Sequence, residues 1–207
     1  PGNTTAVTTY EKQVNDGLGG FYTLGKSSTG RYVLNATSQE GEMNAEQQAF
    51  YNTMQETISH GTDVTFTAID ANDAMAQNVP IADNGHAVDA QGTNYSAQPG
   101  THFIDVGDIS NFSATGYVSA QSIIGHETKE GFEIQTKGLT TAAQMGAAHN
   151  TAIATENSIG GYERVINPAG DFANNTLTLN LNIPSAIPNV TIPVSVAATI
   201  NNNQVTN

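Results

Sequence analysis

The chain has 207 residues, enough for a domain with its own core, and no cysteine. Disulfides and thiolate metal sites are therefore excluded, and any metal must be held by His, Asp, Glu or backbone oxygen. Nineteen acidic residues against six basic ones give a formal net charge of −13, which repels phosphate backbones, argues against nucleic acid as a ligand and favours a basic partner.

The opening PGNTTAVTTY has neither an initiator Met nor a signal-peptide pattern and reads as a piece of something longer. Residues 1–40 are rich in Gly, Ser, Thr and Asn. They read as a loosely structured lead-in carrying a hairpin from Phe21–Leu24 and Tyr32–Asn35. A first helix follows at Asn44–Ile58, where Asn44 and Gln47 have capping-box spacing and Phe50, Met54 and Ile58 form one apolar stripe. Asp63–Ile69 alternates as a half-buried strand. Residues 70–100 are polar and turn-rich, and so long a connection is either functional, as a flap over substrate, or an insert. Residues 101–109, THFIDVGDI, read as a second strand running into a Gly-Asp turn. Two further helices are expected at Ser119–Thr136, ended by Gly138, and from Thr140 or Thr141 to Ile159, ended by Gly160-Gly161. Beyond Pro168 a period-two pattern broken by three prolines reads as edge strands or a hairpin. The expected organisation is lead-in 1–40, catalytic domain 41–167 and β-rich tail 168–207, in an α+β fold. No run approaches the roughly 18 consecutive apolar residues that a membrane span requires.

The chemistry falls on the last two helices. In SIIGHETKEGFE, His126 and Glu130 are four residues apart and so share one helical face, the spacing by which two ligands converge on one metal. Glu127 then lies beside the water that a bound metal activates, where a general base is needed. A catalytic zinc takes a third protein ligand. In the following helix Met145, His149, Ala152, Glu156 and Ile159 advance by four, three, four and three and make one stripe. Two ionisable side chains on an otherwise apolar face are costly to bury unpaired, and a metal shared with the preceding helix removes much of that cost. Without a metal, His149 and Glu156 would pair with each other or face water. His102 is placed either to reach the cleft from a strand end or, as the more ordinary case, to face out from a surface strand, and His60 and His86 read as exposed loop residues. Asp105 and Asp108 lack the loop pattern of a calcium hand. Tyr162 is placed either to donate to a transition-state oxyanion or simply to pack.

GHETKEGFEIQTKG followed by AHNTAIATENSIGGYER resembles the zinc-metallopeptidase toxin domains at the ends of bacterial polymorphic and Rhs-type toxins, related to type III effector proteases. Their pattern is a His-Glu-x-x-His helix, then a helix with an acidic metal ligand followed seven residues later by Glu-Asn, and a later Arg. Glu156-Asn157 matches the Glu-Asn and Arg164 the Arg. Glu130 stands where the family has its second His, and His149 where it has its acidic ligand, so the two departures leave two imidazoles and one carboxylate. The resemblance implies a zincin-like fold and a Zn2+ site of His126, Glu130 and His149. It leaves Glu156 either orienting a ligand or serving as the third ligand itself. It further implies Glu127 as the catalytic base of a secreted or delivered toxic effector, acting on a protein or peptide substrate and checked by a cognate inhibitor (immunity) protein. The rival expectation is a non-catalytic, secreted or surface-associated binding module with an acidic, Asn- and Thr-rich β surface.

Overall fold

The structure is a computed structural model and describes residues 4–70, 82–83, 102–166, 172–173, 176–201 and 204–206. His86 and nearly all of the long connection 70–100 lie outside the described residues. The fold is α+β, with five helices and three small sheets among the described residues.

Helix α1, Thr4–Gly17, corrects the expectation of a loosely structured lead-in. Ala6, Tyr10, Gln13, Val14 and Gly17 are its buried residues, spaced as one helical face, and this stripe overrides the weak helix propensity of its four threonines. The Gln13 side chain ties α1 to a later helix by donating to Val106 O and Ser110 Oγ. Strands β1, Tyr22–Lys26, and β2, Tyr32–Ala36, form the expected antiparallel hairpin. Helix α2, Ala45–Ser59, carries the full capping box of Asn44 and Gln47.

Strand β3 occupies only Thr67–Ile69 of the seven residues expected. With β4, Ala82–Asp83, and β5, Phe103–Asp105, it makes a three-stranded sheet in the order β3-β5-β4, in which β3 and β5 run parallel. The Gly-Asp turn expected after β5 is instead the first turn of helix α3, Val106–Ser113. The Asp105 carboxylate accepts from the Gly107 and Asp108 amides and caps it, so an Asp-x-Gly-Asp sequence that resembles a turn is an N-cap.

Helix α4, Ala120–Lys137, and helix α5, Ala142–Gly160, fall where the capping residues place them. Ser119 and Thr141 cap their N-termini, and Gly138 and Gly161, both left-handed, end them. Helix α4 is the central element, packed against α5, α2, α1 and α3. It has buried residues on nearly every side. Two glycines flanking the His-Glu motif permit this. A Cβ on Gly125 would come within 2.2 Å of the Ile159 side chain, and one on Gly131 within 2.6 Å of Phe66 and 3.0 Å of the His102 ring.

Strands β6, Glu163–Val165, β7, Phe172–Ala173, β8, Thr176–Pro184, β9, Thr191–Asn201, and β10, Gln204–Thr206, form the third sheet, in the order β10-β9-β8-β6 with β7 also on β8. The expected β-rich tail is thus a long β8–β9 hairpin, to which β6 adds directly after α5. Leu179, Leu181, Val196 and Ala198 of this hairpin share one apolar core with Val14 of α1, Phe50 of α2, Ile109 of α3, Ile124 of α4 and Ile159 of α5. Among the described residues, no helix is long and apolar enough to cross a membrane.

Candidate metal centre

Helices α4 and α5 lie side by side, so the stripes read from the sequence face each other. Nε2 of His126 is 3.2 Å from Glu130 Oε2 and 3.2 Å from His149 Nδ1, and His149 Nδ1 is 3.0 Å from Glu130 Oε2. Three lone-pair atoms thus mark a nearly equilateral triangle. The edge of a tetrahedron whose ligands stand about 2.0–2.1 Å from a central zinc is about 3.3 Å, close to all three separations. His126, Glu130 and His149 could therefore hold a metal ion. The His126 and Glu130 side chains are almost sealed, at 4% and 7% exposure, whereas His149 is 40% exposed, so the group opens to solvent on the α5 side.

Glu156 sits on the other side of the His126 ring. Its Oε2 lies 2.8 Å from His126 Nδ1. Arg164 of β6 donates to the same oxygen at 2.6 Å, and the Tyr162 hydroxyl donates to Oε1 at 2.8 Å. A carboxylate on Nδ1 fixes the ring's tautomer and orientation and leaves Nε2 aimed at the triangle, the usual support for a metal-bound imidazole. Glu156 is 2% exposed. Its burial favours the neutral acid, but His126, Arg164 and Tyr162 outweigh this and hold its pKa at about 2. The Tyr162 phenol is pushed up by burial and then by Glu156, so it stays protonated. Of the two roles weighed for Tyr162, the geometry uses its hydroxyl on a buried carboxylate, with Ser122 Oγ 3.2 Å away.

In the metal-free chain the triangle must be held by protons. Burial alone would lower the pKa of His126, yet the hydrogen bonds to Glu130 and Glu156 prevail and raise it to about 10. Glu130 is disfavoured as an anion by burial, but its bonds to His126 and His149 hold it far below the usual carboxylate range. A cation bound among the three atoms would take the place of that shared proton.

Glu127 is next to the group along α4, and its carboxylate adds to the field that raises His126. The neighbouring cation Lys129 is engaged elsewhere, bridging Glu56 at 2.9 Å and Glu133 at 3.0 Å. Instead Glu127 Oε2 lies 3.4 Å from Nε2 of His102. Of the two placements weighed for His102, the structure corrects the surface one: it is 1% exposed, packed into the gap left by Gly131 and edge-on to Phe66. Its burial escaped sequence reading because the space it fills is provided by a glycine 29 residues away. His60 is also half-buried, set edge-on against Phe132, and its Nδ1 accepts from the Thr62 amide.

Comparison with known family models, curated proteins and solved structures finds no match for this chain.

Proposed function

We propose that the chain is a zinc-dependent metallopeptidase whose α4 and α5 are the metal-bearing helices of a zincin-like domain. The observation that supports this reading best is the triangle of His126 Nε2, Glu130 Oε2 and His149 Nδ1, with sides of 3.0–3.2 Å. Two imidazoles and one carboxylate suit zinc better than calcium or magnesium, which take oxygen ligands. Zinc bound there would supply a Lewis acid for a scissile carbonyl and would lower the pKa of its bound water toward neutrality.

The chain's own groups do the rest. Glu156, charge-paired with Arg164, holds His126 at Nδ1 and keeps the ring turned with Nε2 toward the metal position. Glu127 accepts the proton of the attacking water as the C–O bond forms and then returns it to the leaving amine as the peptide C–N bond breaks, and the products are a carboxylate and an amine. The exposed side of His149 is where a peptide enters. Delivery as a bacterial toxic effector, and neutralisation by an inhibitor protein, rest on the motif resemblance. The net charge of −13 suits an inhibitor with a basic face.

The test is Glu127→Gln. Zinc content equal to the parent's, with loss of peptide hydrolysis and of toxicity on expression, is the expected result. Undiminished activity would remove Glu127 from the mechanism. A second reading, a non-catalytic binding module, draws on the exposed Ile187, Val190 and Ile192 around the β8–β9 turn. It would be favoured by a parent chain that hydrolyses no peptide while a charged substitution at Ile187 abolishes its toxicity.

A further inference from the structure

His102 is buried, yet neither ring nitrogen has a hydrogen-bond partner that satisfies it. Burying both polar atoms of an imidazole without partners is costly, and the surroundings keep the ring from moving to find others. Its backbone is fixed where its carbonyl accepts from the Thr67 amide at 2.8 Å, at the head of the parallel β3–β5 pair. One face is closed by Gly131 and Phe66. The polar group that Nε2 does face is Glu127 Oε2, at 3.4 Å, a separation just beyond a well-formed hydrogen bond. The Glu127 side chain is 14% exposed, against 2% for His102, so the carboxylate has one oxygen toward a sealed imidazole and retains contact with solvent. His102 is outside the metal group, which consists of His126, Glu130 and His149.

We propose that His102 is the positioning residue of the general base: its Nε2–H donates to Glu127 Oε2 and fixes the rotamer in which the other carboxylate oxygen meets the attacking water. This rests on the assignment of Glu127 as the base. Catalytic hydrogen bonds are often long in a ligand-free site and tighten when it is occupied, so 3.4 Å is a distance from which the pair can close with a small turn of the Glu127 side chain. In this arrangement His102 stays a neutral donor throughout. The proton from water goes to Glu127 and on to the leaving amine, and the imidazole neither gains nor loses one.

The experiment has two arms. Proton–nitrogen NMR of the zinc-loaded chain should show a slowly exchanging, downfield-shifted imidazole N–H that disappears in His102→Gln, which assigns it, and moves to the position of an unbonded N–H in Glu127→Ala, which removes the acceptor. Hydrolysis of a random-sequence peptide library, read as free amine released, should fall by about 10²-fold in His102→Phe, as expected for a misplaced catalytic group. Most of it should return in His102→Gln, whose side chain keeps an N–H donor, and zinc content should be unchanged in both. A His102 resonance indifferent to Glu127→Ala would overturn the inference, and so would full hydrolysis by His102→Phe. Should His102→Phe fail to fold, the resonance comparison decides alone, because it needs no change at His102 beyond its assignment. A parent chain that cleaves nothing refutes the peptidase reading, and a fully active Glu127→Gln removes Glu127 as the base on which the inference rests; both are distinguished from failure of the His102 contact by the resonance, which reports that contact independently of turnover.

Discussion

The side chain that gives the candidate centre its direction is Glu156, which supplies none of the three converging atoms. It accepts from His126, Arg164 and Tyr162 at 2.6–2.8 Å and so sets which imidazole nitrogen is left for a metal. Loss of such a partner typically weakens metal binding by about 10–100-fold. Glu156→Gln should therefore lower zinc affinity by that factor, measured by competition with a chromogenic chelator, and an unchanged affinity would show that the His126 ring is held by packing alone. The same residues fix a pH dependence. His126 has a folded pKa of about 10 against an ordinary 6.5, so its contribution to the stability of the metal-free chain is complete below about 6.5 and is lost as pH rises through 10. Glu156, at about 2 against 4.5, contributes fully above about 4.5 and loses its contribution as pH falls through 2. In a chelator, the melting temperature should decline from pH 7 to pH 10, while zinc, which needs the neutral imidazole, should stabilise the chain more as pH rises and release about one proton per ion near pH 8. Calorimetry in two buffers of different ionisation enthalpy measures that proton. A metal-free melting temperature that climbs from pH 7 to pH 10 would contradict the imidazolium.

Between elements, the approach of α4 to its neighbours depends on two glycines whose missing Cβ atoms are replaced by Ile159 on one side and by Phe66 and His102 on the other. At Gly131 the neighbours are rings that cannot swing aside. Ala there should destabilise the fold by about 1 kcal/mol net, overpacking exceeding the gain in helix propensity. Gly146 in α5 has nothing within 4 Å of its Cβ position, and Ala there should stabilise by about 0.5–1 kcal/mol. Urea unfolding of the two variants checks both signs. These elements also mark where sequence reading succeeded. Capping at Asn44 and at Thr141, one of the two threonines weighed, and the alignment of His149 and Glu156 on α5, were legible because they are local: a cap or stripe is written within one helix. The helix α1 was hidden by a Thr-rich composition, although Ala6, Tyr10 and Val14 carry the period. Helix α3 was hidden by an Asp-x-Gly-Asp sequence that serves turn and N-cap equally well. The ring of His102 and the strand β6 are positioned by residues far along the chain, and no local pattern carries that information.

Across the whole molecule one apolar core joins α1, all four later helices and the C-terminal hairpin. That core makes the metal-bearing helices depend on both ends of the chain. Leu179, Leu181 and Val196 are 5% exposed or less, and at about 2 kcal/mol each they contribute an amount comparable with the 5–15 kcal/mol by which a typical domain is stable. A fragment ending at residue 167 should accordingly lack cooperative thermal unfolding and fail to bind zinc tightly. Circular dichroism melting of the fragment beside the full chain tests this, and a sharp, zinc-raised transition in the fragment would show that the hairpin is an appendage.

Metal content decides the central assignment most directly. The full chain, Glu127→Gln and His149→Ala are each loaded with zinc, dialysed against metal-free buffer and analysed by native mass spectrometry, with circular dichroism confirming that each remains folded. One zinc ion per chain in the parent and in Glu127→Gln, with its loss from folded His149→Ala, is the predicted outcome. A parent that retains no zinc, or a His149→Ala chain that retains a full equivalent, would contradict a metal held by His126, Glu130 and His149.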